Sequence, residues 1–280
     1  MAQLLSIDVV DKNLLRLPNN NRMPLNSIGS KVKGLWGFIK RGRIIVFQSV
    51  SIILYFTILI SCTLKYSTWR YERGNFIKIR SQLASQKSQI IQPLSTDDLD
   101  GDGALEAIIL TKYRMDIIKD GQSVWQSPVE WQVIQADITD LNHDQKPEVI
   151  LLLWRPFKPW PIDSILVHPG RIQTFQNKDG QSCHIILVGW KKGYYREIWA
   201  GSALAEPLRS FITVDLTSDG FQELIALESI YADKDTSPAR ALTAWEWNGF
   251  GFSLLARVEG NFHDLLVTLA PDNSYWILTR

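Results

Sequence analysis

The pattern of apolar and polar positions divides the chain into three unequal parts. Residues 1–43 show no sustained period: Leu14-Leu15-Arg16-Leu17 is cut short by Pro18, and 18–24 reads as loop. Residues 44–64 are 21 positions without a charge. As a helix rising about 1.5 Å per residue, this run reaches roughly 31 Å, the thickness of a bilayer core. Trp36 and Phe38 before it, and Tyr66, Trp69 and Tyr71 after it, suit the two membrane interfaces. Residues 65–95 read as a polar connector, in which 76–89 forms either a short helix or an outer strand.

Beyond residue 96 the apolar runs shorten to strand length. Strands are expected at 106–113, 124–125, 130–134, 149–154, 164–168, 170–176, 184–190, 194–200, 209–214, 224–229, 242–247, 252–258, 264–269 and 275–278. Turn signals separate many of them: Asp120-Gly121, Asp179-Gly180, Lys192-Gly193, Asn248-Gly249, Gly260-Asn261 and Asp272-Asn273. Three prolines in 155–161 break regular structure. Many short strands at even spacing indicate an all-β sandwich or a propeller.

One short pattern occurs three times. Asp98-Leu99-Asp100-Gly101-Asp102-Gly103-Ala104-Leu105-Glu106, Asp140-Leu141-Asn142-His143-Asp144-Gln145-Lys146-Pro147-Glu148 and Asp215-Leu216-Thr217-Ser218-Asp219-Gly220-Phe221-Gln222-Glu223 each run into an apolar strand. Oxygen-bearing side chains on alternate residues of a tight turn suit a hard cation such as Ca²⁺. An EF-hand would need its bidentate Glu at loop position 12, where this chain has Ile109, Leu151 and Ala226.

The nine-residue pattern resembles the calcium loop of FG-GAP (VCBS-type) repeats, the blades of integrin-alpha-like β-propellers. The resemblance implies side-chain ligands at positions 1, 3, 5 and 9 and a carbonyl ligand at position 7. The implied ligands are Asp98, Asp100, Asp102, Glu106 and the carbonyl of Ala104; Asp140, Asn142, Asp144, Glu148 and the carbonyl of Lys146; Asp215, Thr217, Asp219, Glu223 and the carbonyl of Phe221. The chain departs from the family in having Glu at every ninth position, an uncharged Thr217, and His143 and Gln145 where glycines are expected. With four acids, the first loop is expected to bind best. Spacings of 42 and 75 residues between first positions suit one blade and then two, the middle blade lacking a loop. The expectation is an all-β propeller of about five blades over 96–280, preceded by a single transmembrane helix.

Charge adds a direction. Residues 1–43 carry eight Lys/Arg against two acids, whereas 66–280 carry 21 basic and 27 acidic residues. The basic tail faces anionic headgroups, and no nucleic acid is expected as a partner. Lys and Arg flank the span on both sides, so the positive-inside rule is nearly silent. Extracellular calcium modules bind at roughly 10⁻⁴ to 10⁻³ M, which places the large domain outside and the tail in the cytoplasm. Leu59-Ile60-Ser61-Cys62 resembles a bacterial lipobox, a minor alternative that also leaves the domain membrane-tethered. Cys62 and Cys183 form no disulfide framework.

Candidate catalytic chemistry is sparse. His143, His168, His184 and His263 have no zinc-type spacing, and no nucleophile elbow or phosphate loop occurs. Histidines in strands are expected to be structural. Most of the 11 tryptophans are expected to pack between sheets, with 154–160 the best exposed contact. The sequence therefore points to a membrane-anchored, calcium-binding module for a protein or glycan. The alternatives are a propeller enzyme acting on polysaccharide and a structural subunit whose basic tail docks a partner.

Overall fold

The computed structural model of the chain describes residues 66–80, 90, 95–158 and 174–280. The predicted tail, the span at 44–64, the strand at 164–168 and Trp160 lie outside the described residues. Among the described residues no helix is long and apolar enough to cross a membrane.

The described residues form sixteen strands in four four-stranded antiparallel sheets, with no α-helix. The chain enters through β1 (Ser67–Glu72) and β2 (Asn75–Ile79). A first sheet follows: β3 (Thr96–Asp97), β4 (Glu106–Thr111), β5 (Arg114–Lys119) and β6 (Gln122–Gln126). The second is β7 (Gln132–Thr139), β8 (Glu148–Pro156), β9 (Gln181–Lys191) and β10 (Tyr194–Ala200). The third is β11 (Leu208–Val214), β12 (Glu223–Glu228), β13 (Ala239–Trp247) and β14 (Phe252–Phe262). The last strands, β15 (Leu265–Leu269) and β16 (Tyr275–Thr279), do not make a sheet alone. They pair with the first two, in the order β15-β16-β1-β2.

The expected connector at 65–95 thus contains two strands of the repeat region. Thr68 pairs with Leu278 and Trp69 with Ile277, so the beginning and end of the described chain share one sheet. The Trp69 indole donates to Thr279 Oγ1 at 2.7 Å, and its ring meets Phe262 edge-on at 6.0 Å. Four sheets, rather than five, account for the described residues. Among the described residues the 75-residue interval holds no extra sheet: β9 and β10 complete the sheet begun by β7 and β8.

Three cores stack the sheets in succession. Met115 and Ile117 of the first sheet meet Val149, Leu151 and Leu153 of the second. The alternate residues Ile150 and Leu152 point the other way, towards Phe211, Leu224 and Ala226 of the third. Ile225 and Leu227 in turn face Val267, Ile277 and Trp69 of the fourth. A strand buried on both faces has no polar side to alternate with, which is why 149–153 and 224–227 read as unbroken apolar runs. Gln135 adds a polar seam between the second and third sheets: its amide donates to the Phe211 carbonyl at 2.7 Å and accepts from the Phe211 N–H at 3.1 Å.

One turn expectation fails for a local reason. β14 runs straight through Gly260-Asn261. Gly260 serves packing instead: a Cβ there would lie 2.5 Å from the Phe262 ring. Pro156 ends β8 two residues beyond the strand expected at 149–154, and Thr174–Gln176, expected within a strand, is not strand. Among the tryptophans, Trp131 is buried and Trp190 is exposed. Trp199, Trp247 and Phe252 pack edge-on at 5.4 to 5.5 Å where the second and third sheets meet. Trp154 is half-buried against Tyr231 at 5.7 Å.

Candidate metal centre

Each nine-residue pattern occupies the same place, the connection from the first to the second strand of its sheet. The fourth sheet makes that connection with the shorter 270–274 turn. The three loops share one hydrogen-bond scheme. The position-1 carboxylate accepts backbone N–H groups from the far side of the turn: Gly101, Asp102 and Gly103 on Asp98, Asp144 and Gln145 on Asp140, Asp219 and Gly220 on Asp215. The position-5 carboxylate caps the position-7 N–H at 2.9 to 3.1 Å, which ties Ala104, Lys146 and Phe221 into the turn. Leu99, Leu141 and Leu216 at position 2 are buried and anchor each loop in a core.

Positions 4 and 6 take positive φ in all three loops. Glycine meets that need at Gly101, Gly103 and Gly220, whereas His143 (62°), Gln145 (64°) and Ser218 (62°) adopt it despite a Cβ. His143 is held by stacking on Phe221 of the next loop, ring centroids 4.4 Å apart. Thr139 also hydrogen-bonds Gln222, so the second and third loops touch.

The position-9 glutamates are the unusual groups. Glu106, Glu148 and Glu223 are 0%, 1% and 2% exposed. Each accepts the N–H of its position-2 leucine, at 2.8, 2.9 and 2.6 Å. A buried carboxylate needs further compensation, and the three loops differ in how they give it. In the first, Lys119 of β5 places its ammonium 2.5 Å from Asp100, 2.7 Å from Asp102 and 2.9 Å from Glu106 Oε1. Its hydrogen bonds to Asp100 and Asp102 hold that ammonium well above the ordinary lysine range, and the Lys119 bond pulls Asp102 below the ordinary carboxylate range. In the third loop, the Thr217 hydroxyl donates to Glu223 Oε1 at 3.2 Å; burial still raises the Glu223 carboxyl.

The second loop has neither device. Leu141 and Asn142 N–H groups use Glu148 Oε1, and Glu148 Oε2 is buried without a hydrogen-bond partner. Burial pushes this carboxyl up to about 8, against the pull of those two N–H bonds and with Asp140 and Asp144 adding to the rise. Two groups of three acids each bring one oxygen apiece within 4.8 Å of one another and could hold a metal ion: Asp98, Asp100 and Glu106, and Asp140, Asp144 and Glu148. Asp215, Asp219 and Glu223 form no such group. The oxygen donors around Glu148, with one of them orphaned, fit a hard divalent cation. The first group fits less well, because an ammonium already stands among its oxygens.

The sequence reading missed Lys119. β4 and β5 pair Thr111 with Arg114 and Ala107 with Ile118, so the next step sets Lys119 opposite Glu106. The signal was the hairpin turn at Lys112-Tyr113, which carries no Gly, Pro or Asn to mark it.

His184 is the other buried titratable group with chemistry. Its Nδ1 meets the Gly201 carbonyl at 3.0 Å, and its Nε2 lies 2.8 Å from Ser182 Oγ. This is a nucleophile–base geometry, but Ser182 is 0% and His184 5% exposed, so no substrate reaches it. The pair is structural. Burial, with a smaller push from Arg155, lowers the imidazole to about 4. The unfolded chain therefore takes up a proton near pH 6.5 that the folded chain refuses until about pH 4. His184 by itself costs the folded state about 1.4 kcal/mol for each pH unit between 6.5 and 4, a loss offset down to about pH 4.5 by the raised Glu148 carboxyl, which takes its proton first in the folded chain. Urea midpoints of the natural chain and of His184→Gln at pH 7 and pH 5 isolate the histidine: the natural chain is expected to lose stability relative to the variant as the pH falls.

No protein-family model and no curated protein matches the chain. Among solved structures, the chain is similar to that described as "Crystal structure of BBS1N in complex with ARL6DN, soaked with mercury", at 12% identity and a TM-score of 0.24, too low to bear on the fold. That match covers 67% of this chain, which spans about two thirds (65%) of the other.

Proposed function

We propose that the chain is a calcium-stabilised β-propeller that presents its loops to a protein or glycan outside a membrane. The four successive sheets are its blades, and pairing of β1 with β16 closes the chain ends, as a ring of blades requires. The observation that carries the reading is the orphaned Glu148 Oε2 beside Asp140 and Asp144. A bound divalent cation would neutralise that carboxylate and cross-brace the turn, with Asn142 and the Lys146 carbonyl as further oxygen donors. Because His143 of this loop stacks on Phe221, an ion there also steadies the third loop.

The tether is the apolar run 44–64, and a calcium-filled second loop fits a large domain on the calcium-rich side. A binding module is favoured over an enzyme because the Ser182–His184 pair is sealed and the acidic clusters serve the turns. The test is protease treatment of intact cells that make the full chain. The expected result is loss of the β domain from outside, slowed by calcium, with 1–43 protected. Digestion of the domain only after permeabilisation would overturn the orientation and with it the proposed role.

A further inference from the structure

The three loops offer three answers to one problem, a buried glutamate at position 9, and the strand register decides whether a cation is at hand. The residue opposite that glutamate on the next strand is Lys119 in the first sheet, one step beyond the Ala107–Ile118 pair. In the second sheet it is Gly189, one step beyond Val149–Val188. In the third it is Glu246, one step beyond Leu224–Trp245, and its side chain is exposed. Of these three residues, Lys119 alone carries a cation that reaches back into its loop. Gly189 has no side chain to do so, and a Cβ there would already stand 3.6 Å from Glu148 Cβ and 3.0 Å from Ile198 Cδ1.

We infer that Lys119 is a built-in cation: its ammonium takes the place of a divalent ion among Asp100, Asp102 and Glu106, so the first loop is held at any calcium concentration. The loop richest in acids is then the one that needs no ion, because a tethered ammonium costs no ion-binding entropy and makes two hydrogen bonds and an ion pair at once. A calcium ion entering this loop would have to displace a lysine that three carboxylates hold. That the second loop, with Gly189 at the equivalent place, is the one left to bind calcium rests on the reading above. The assignment of Lys119 stands without it.

The test uses the full chain and Lys119→Met, which keeps the length of the side chain and removes its charge. Calcium bound per chain is measured by equilibrium dialysis, and the thermal midpoint in EDTA and in calcium. The variant is expected to bind one more calcium ion than the natural chain, to lose midpoint in EDTA, and to recover it in calcium. Equal binding and equal midpoints in the variant and the natural chain would overturn the inference. Failure of the second-loop reading looks different: the natural chain then binds no calcium, while Lys119→Met still gains one ion. If Lys119→Met does not fold, Asp100→Asn in the natural chain decides. An equal fall in midpoint with and without calcium supports Lys119 as the cation; a fall confined to calcium, or none, overturns it.

Discussion

Trp69→Ala is expected to destabilise the protein by about 3–5 kcal/mol, the range for removing a large aromatic from a core. Trp69 sits on β1, yet its neighbours come from the other end of the chain. Its indole donates to Thr279 on β16, its ring packs on Phe262, and Lys78 stands over its face at 5.4 Å. Truncation opens a cavity in the core shared by the third and fourth sheets and leaves the buried Thr279 hydroxyl without its donor. For a domain of this size, that corresponds to a midpoint lower by roughly 6–20 °C. Trp69→Phe should keep most of the apolar contact and lose about 1 kcal/mol through the missing hydrogen bond. The pair of variants tests closure of the chain ends. A change within about 0.5 kcal/mol for Trp69→Ala, the range for exposed sites, would mean that β1 does not complete the last sheet.

Glu148→Gln is expected to act with opposite signs in two conditions. The amide oxygen can still accept the Leu141 and Asn142 N–H groups, and the amide nitrogen replaces the orphaned Oε2 with a donor facing Asp140 and Asp144. In EDTA the variant should therefore be more stable than the natural chain by about 1 kcal/mol, the lower end of the cost of leaving a buried polar atom unsatisfied. In calcium the order reverses. A ligand at 100 times its dissociation constant stabilises the folded state by about 2.7 kcal/mol, and the variant forgoes most of that gain. Thermal unfolding of both proteins in EDTA, magnesium and calcium separates the two effects. A variant that is less stable in EDTA and still responds fully to calcium would show that Glu148 is an ordinary structural acid.

The three loops were legible in the sequence because their geometry is local. Alternate acids, a leucine at position 2 and a glutamate at position 9 give the same turn each time, and even His143 and Gln145 take the positive φ expected of glycine. Strands such as Tyr194–Ala200 were legible for the same reason, since turn residues bracket them. What escaped was everything set by distant pairing. Nothing near residue 67 announces that it will pair with residue 279, so β1 reads as connector and β2 only as one of two alternatives, a short helix or an outer strand. The interval of 75 residues reads in sequence as room for a further blade, whereas its described strands β8, β9 and β10 belong to one sheet, because spacing along the chain does not say which strands pair. The ranking of the loops by acid count also failed to see Lys119, which lies 19 residues after Asp100 in the chain but 2.5 Å from it in space. Charge counts along a segment do not include the charge that a neighbouring strand brings to it.

The most direct test of the account is the number of calcium ions bound by the full natural chain at equilibrium, with Glu148→Gln as the comparison. The account predicts one ion per chain, lost in the variant, because Lys119 serves the first loop and Thr217 closes the third. Three ions per chain, one ion that survives Glu148→Gln, or none at all would contradict it.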